Sequence, residues 1–205
     1  MTALISVDPG DVHVGVAFFD EDPNSPHGWV CTGTQEMTPD EFADSLADTF
    51  LDQDEGWRFL IYEKFRLYAD KAKQQTGSEF PTAKLIGVIE WLGRKHNEHA
   101  EQHRLAERLG KLTTCEVGGG FCSADRAEGK RIVNEVRLVK QPADIKKPTI
   151  GILRHLNIKS VAKAEGDKLG HRVDAELHGW HFLLRTLAKE QQCETPTLSS
   201  ASSQS

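Results

Sequence analysis

Apolar residues crowd the start of the chain in a pattern that changes period as it goes. Leu4-Ile5-Ser6-Val7 is rich in β-branched and aliphatic residues and reads as a strand, Asp8-Pro9-Gly10-Asp11 as a tight turn, and residues 12–19 as the returning strand. A turn cluster at 20–27 gives way to a third alternating run at 28–36, so this part of the chain predicts an antiparallel meander. The period then lengthens. Thr38-Pro39-Asp40-Glu41 has the form of a capping box with proline at the first helical position, and Phe42, Leu46 and Phe50 continue it as an amphipathic helix that residues 52–56 end. Residues 57–62 (WRFLIY) are nearly continuously apolar, as expected of a strand buried inside a sheet, and Glu63 follows directly.

Residues 64–80 are polar and read as a loop or short helix. Pro81 and Thr82 open a second helix on the spacing of Leu85, Ile86, Val88, Ile89 and Leu92. From 94 to 111 the chain stays helix-permissive but charged; His96, His99 and His103 recur there at three- and four-residue steps and read as a solvated face. Residues 113–130, with Gly118-Gly119-Gly120, read as irregular. Residues 132–139 predict another strand, and Gln141-Pro142-Ala143-Asp144 a turn into a helix that carries Lys146 and Lys147 and is bent or restarted at Pro148. A last helix over 171–187 follows the stripe Val173, Leu177, Trp180, Leu184 and Leu187, and it places His171, Asp174 and His178 on one face. The expected organisation is a single α/β domain over 1–190 and a disordered Ser/Thr-rich tail at 191–205.

Length fits this picture, since 205 residues suffice for one domain with a substantial core. No apolar run approaches the roughly 20 residues of a membrane span, and no basic leader precedes the first strand, so a soluble cytoplasmic protein is expected. Cys31, Cys115, Cys122 and Cys193 lack the spacing of a zinc site and read as reduced bystanders. Net charge changes the picture more. The overall −6 divides into −13 over residues 1–63 (one basic residue against fourteen acids) and +7 over 126–172 (twelve against five). Such a split suits an acidic metal centre beside a basic surface that meets phosphates.

Asp8 and Glu63 both stand at predicted strand ends. Carboxylates there, on rigid elements, suit a hard divalent cation, and the glycine turn beside Asp8 would let a phosphate approach. The stretches DPGDVHVG (8–15), IYEKF (61–65), PADIK (142–146) and HRVDA (171–175), in this order and spacing over residues 3–188, resemble the motifs of the RuvC-type Holliday junction resolvases, in a phage-encoded branch. The resemblance implies a ribonuclease H-like fold with a mixed sheet flanked by helices. It implies a homodimer that cleaves four-way junctions and other branched DNA, with the apolar helix 82–93 as candidate contact. Asp8, Glu63 and Asp174 are then magnesium ligands, with His171 in a fourth position that the family fills with Asp or His. Two ions per site, magnesium with manganese able to substitute, would stand about 3.5–4 Å apart, one activating water and one stabilising the departing 3′ oxygen. No small-molecule cofactor and no membrane are implied. Lys146 and Lys147 resemble the family's residues that meet the DNA backbone. The aromatic that stacks on a splayed base is bracketed by Phe65 and Tyr68, with Arg66 at the expected position, and the segment 95–130 has no family counterpart.

Two other readings stay open from the sequence. The turn at Asp8-Pro9-Gly10 and Gly15 loosely resembles the phosphate turn of actin-like and sugar-kinase ATPases, although 205 residues leave little room for their second lobe. A non-catalytic DNA-binding module on the same fold is the other.

Overall fold

The computed structural model describes residues 2–52, 58–65, 80–108, 115–117, 120–122, 135–166, 170–187 and 189. Strands β1 (Thr2–Pro9), β2 (Val14–Glu21) and β3 (Trp29–Met37) form the expected meander, followed by helix α1 (Pro39–Asp52) and strand β4 (Phe59–Glu63). Helix α2 (Pro81–Arg108), a short hairpin of β5 (Cys115–Val117) and β6 (Gly120–Cys122), and strand β7 (Arg137–Gln141) come next. Helices α3 (Lys146–His155), α4 (Val161–Ala164) and α5 (His171–His181) complete the order.

Five strands make one sheet in the order β3-β2-β1-β4-β7, antiparallel within the meander and parallel from β1 to β4 to β7. This is the mixed sheet, flanked by helices, that the sequence predicts. Position in the sheet explains the sequence patterns. β1 and β4 lie inside it and are apolar on both faces, whereas the edge strand β3 alternates between buried and exposed positions. On one face Leu4, Ala17, Phe19 and Ile61 pack beneath α3, α4 and α5 through Leu153, Ala162, Val173, Leu177 and Trp180. On the other, Ile5, Val7, Val16, Leu60 and Tyr62 meet α1 and α2 through Phe42, Leu46, Leu85 and Ile89. Each such buried aliphatic or aromatic side chain stabilises the fold by about 1.5–3 kcal/mol, so two-sided burial fixes β1 and β4 as the rigid centre.

Several boundaries differ from the sequence expectation, each for a local reason. β2 begins at Val14 rather than at 12, because the turn continues through Val12, which is 66 % exposed. Glu63 is the last residue of β4 rather than the first beyond it, paired in register with Gln141. β7 starts at Arg137, with 135 and 136 outside the ladder and the 132–134 part of the expected strand outside the described residues. The Asn97 side chain takes both backbone groups of Val136, accepting from its N–H at 2.8 Å and donating to its carbonyl at 2.9 Å, and the ladder begins only after that. Pro148 neither bends nor restarts α3, since it sits in the first turn, where a missing N–H breaks no helical bond. The capping box holds: Glu41 N–H donates to Thr38 Oγ1 at 3.3 Å, and Thr38 N–H to Glu41 Oε2 at 2.8 Å. Past His181 the last helix widens into a π-helical turn, Phe182–Leu187. The hairpin β5–β6 falls in the stretch expected to be irregular. Tyr68, most of residues 64–80 and 109–134, and the tail lie outside the described residues. No helix among those described is long and apolar enough to cross a membrane.

Candidate metal centre

Strand alternation places the first two carboxylates. In β1 the residues Leu4, Ser6 and Asp8 share a face, in β4 Ile61 and Glu63 do, and the parallel register of Val7 with Tyr62 brings the two strand ends side by side. Helix α5 is then laid against them. A Cβ on Gly15 would stand 2.0 Å from the His171 carbonyl oxygen, and one on Gly10 would stand 2.7 Å from the His171 ring. A side chain at Gly15 would meet the backbone at the amino terminus of α5, whereas one at Gly10 would first meet the turn's own His13 carbonyl oxygen, at 2.2 Å.

With α5 so placed, His171 Nδ1 is 2.5 Å from Asp8 Oδ2. Lys146, the first residue of α3, turns inward. Its Nζ stands 2.6 Å from Asp174 Oδ2, 3.1 Å from Glu63 Oε2 and 3.5 Å from Asp8 Oδ1. Carboxylates from two strand ends and one helix thus converge on a single cationic nitrogen. From deeper on α5, His178 Nε2 reaches Glu63 Oε2 at 2.9 Å. Ligand atoms of Asp8, Glu63 and His178 all lie within 4.8 Å of one another.

Electrostatics follow from this crowding. Burial pushes the Asp8 carboxyl above its ordinary value, the His171 hydrogen bond and the Lys146 charge oppose the rise, and neighbouring Glu63 adds to it. Burial acts the same way on Glu63 but is outweighed by hydrogen bonds with His178 and Asp8 and by Lys146, which bring it down to about 2. Burial would lower Lys146, yet Asp8, Asp174 and Glu63 together raise it and keep it charged. The hydrogen bond with Asp8 raises His171.

The structure thus brings together Asp8, Glu63, His171, Asp174 and Lys146. It leaves two sequence candidates elsewhere. Lys147 is exposed at the start of α3. Phe65 is half-buried, packed against the α1–α2 side of the core with its ring centroid 5.8 Å from that of Phe80. What the sequence left unassigned is His178, although its spacing of four from Asp174 and seven from His171 already put it on their face.

Among the solved structures that this chain resembles are RuvC and Holliday junction resolvases. Thermus thermophilus RuvC is similar with a TM-score of 0.48 and 10% identity over 90% of this chain and 96% of the other. The Fowlpox virus resolvase, solved with a substrate Holliday junction, gives 0.44 and 12% over 95% and 100%. The yeast mitochondrial resolvase gives 0.41 and 12% over 89% and 78%. No protein-family model matches the chain, and no curated protein is similar to it in sequence.

Proposed function

We propose that the protein is a metal-dependent, structure-selective endonuclease that resolves four-way DNA junctions. The observation that carries this reading is the convergence of Asp8, Glu63 and Asp174 on one positive charge, the Lys146 ammonium at 2.6–3.5 Å. A cluster already built around a cation, with hard oxygen donors on rigid strand ends, fits magnesium or manganese. Asp8, Glu63 and Asp174 would hold the ions, with His171 at the margin of the site. When bound, divalent cations supply Lewis-acid activation of water and neutralise charge on the scissile phosphate.

The chain's own groups do the rest. The buried strand ends hold the Asp8 and Glu63 carboxylates in place, so little ordering cost is left for the reaction. His171 keeps one ring nitrogen on Asp8 and its side chain 40% exposed, which suits proton exchange with solvent or substrate. Lys146 reaches the same point on a flexible stem and, once cations take over the carboxylates, is free to meet a phosphate oxygen. Lys147, exposed one residue on, extends that basic edge.

Cutting both strands of a two-fold symmetric junction calls for two active sites related by a matching axis, hence a homodimer. Val88 and Trp91, 37% and 53% exposed at a three-residue step on α2, offer an apolar contact for it. The deciding experiment supplies a synthetic four-way junction, a linear duplex and a flap with magnesium. Paired symmetric nicks confined to the junction are expected; equal cleavage of the duplex, or none of any substrate, would overturn the reading.

A further inference from the structure

His178 lies beneath the acidic cluster, and none of the chemistry above uses it. Its side chain is completely buried, with Nε2 2.9 Å from Glu63 Oε2. Its Nδ1 is also buried and has no hydrogen-bond partner among the described residues. Together these facts locate the proton. Nε2 stands at hydrogen-bond distance from a carboxylate oxygen, which offers only lone pairs, so the ring meets Glu63 with an N–H. With the proton on Nε2, the donor is used and only a lone pair is left unmet. Orphaned buried donors are rarer than orphaned acceptors.

The spacing also suits His178 as a metal ligand, since its Nε2 shares the 4.8 Å cluster with Asp8 and Glu63. Proton placement argues against it. A ligating Nε2 must give up its hydrogen, which moves the proton to Nδ1, and ligating histidines almost always donate their other N–H to an acceptor. Among the described residues none stands opposite Nδ1.

Packing fixes the ring where it is. The next residue is Gly179, whose Cβ would stand 2.3 Å from the Phe19 ring, so α5 lies as close to β2 as its backbone allows. Trp180 then meets Phe19 edge-on at 5.3 Å. A side chain with no exposed surface, on a helix seated this closely, has little rotamer freedom.

We propose that His178 is a positioning residue: it donates Nε2–H to Glu63 Oε2 and so keeps that carboxylate turned toward Asp8 with or without a divalent cation. This deepens the metal-site reading and rests on it. Two measurements test it. Long-range 1H–15N NMR of the wild-type protein reads the tautomer directly, and the proton is expected on Nε2 both before and after magnesium is added. A proton found on Nδ1 in the magnesium-loaded protein would make His178 a ligand and overturn the proposal. Calorimetric titration with manganese compares wild type, His178→Leu and His178→Gln, each checked for folding by circular dichroism. The leucine variant should bind about 10–100-fold more weakly, and glutamine, whose amide N–H can reach the same oxygen, should recover most of the loss. A folded leucine variant with wild-type affinity would reduce His178 to a core side chain, and a glutamine variant as weak as leucine would show that the imidazole itself is needed. If wild type bound no manganese, the metal-site reading would fall first, which separates the two failures.

Discussion

Lys146→Met gives a direct perturbation of the cluster, because it removes the charge and keeps most of the apolar stem. In the metal-free protein Nζ is 2.6 Å from Asp174, 3.1 Å from Glu63 and 3.5 Å from Asp8, with the lysine side chain 28% exposed. Breaking a fully buried ion pair by removing one partner costs about 3–5 kcal/mol. Partial exposure, and the capacity of Asp8 to take up a proton, reduce the expected loss to roughly 2–3 kcal/mol. For a chain of this length that corresponds to a fall in Tm of roughly 5–10 °C in the presence of a chelator. Divalent cations should more than restore it. In wild type a cation must displace the ammonium from the carboxylates, whereas in the variant it need not, so magnesium should bind more tightly, by at most roughly 30–150-fold if the whole loss is recovered. Differential scanning calorimetry with chelator and with magnesium, together with a calorimetric titration, measures both quantities. An unchanged Tm without metal and an unchanged magnesium affinity would refute the idea that Lys146 neutralises the cluster.

Asp174→Asn should cost roughly 1 kcal/mol or less of metal-free stability, because it weakens a partly exposed pair with Lys146. The same variant should lower magnesium-dependent junction cleavage by orders of magnitude, and a folded protein that cleaved near normally would sink the nuclease assignment. Lys147→Ala should weaken junction binding and reduce the slope of log affinity against log salt by about one, read by fluorescence anisotropy; an unchanged slope would place the DNA surface elsewhere. Glu176→Gln should destabilise the fold by about 1–2 kcal/mol in denaturant titrations and leave cleavage per folded molecule unchanged. The reason is that buried Glu176 accepts from Ser160 Oγ at 2.6 Å, Val161 N–H at 3.0 Å and Ala162 N–H at 3.1 Å, and so holds the start of α4.

The sheet was legible because its strands carry their burial in their own composition: two-sided apolar runs at β1 and β4, alternation at β3. Glu63 and Asp8 were legible as strand-end carboxylates for the same reason. Long-range contacts were not. The start of β7 depends on Asn97, thirty-nine residues before Val136, satisfying a backbone that would otherwise join the ladder. Gly15 looks locally like a turn residue, and only the approach of α5 shows what it accommodates. Lys146 reads in sequence as one of two basic residues on a helix start. Nothing local distinguishes the one that turns inward from the one that stays exposed. The sequence also suggests that Asp174 should be repelled by Asp8 and Glu63 in the absence of metal, which would make Asp174→Asn neutral or stabilising. Lys146 between them reverses that sign.

The uneven charge along the chain finds its atomic counterpart in this cluster. Gathering carboxylates on adjacent elements costs repulsion, and each acid meets it with its own nitrogen: Asp8 with His171, Glu63 with His178, Asp174 with Lys146. The three nitrogens differ in their freedom to leave. Lys146 has a long flexible stem, and the His171 side chain is 40% exposed, so both can withdraw when divalent cations take over the carboxylates. His178, fully buried on a helix that Gly179 seats against Phe19, cannot. The arrangement therefore separates two tasks that one counter-charge could not perform together. Removable cations stabilise the fold before metal binds, and a fixed donor keeps Glu63 oriented while they are exchanged. That division predicts opposite metal responses at the two positions: loss of Lys146 should tighten cation binding, and loss of His178 should weaken it.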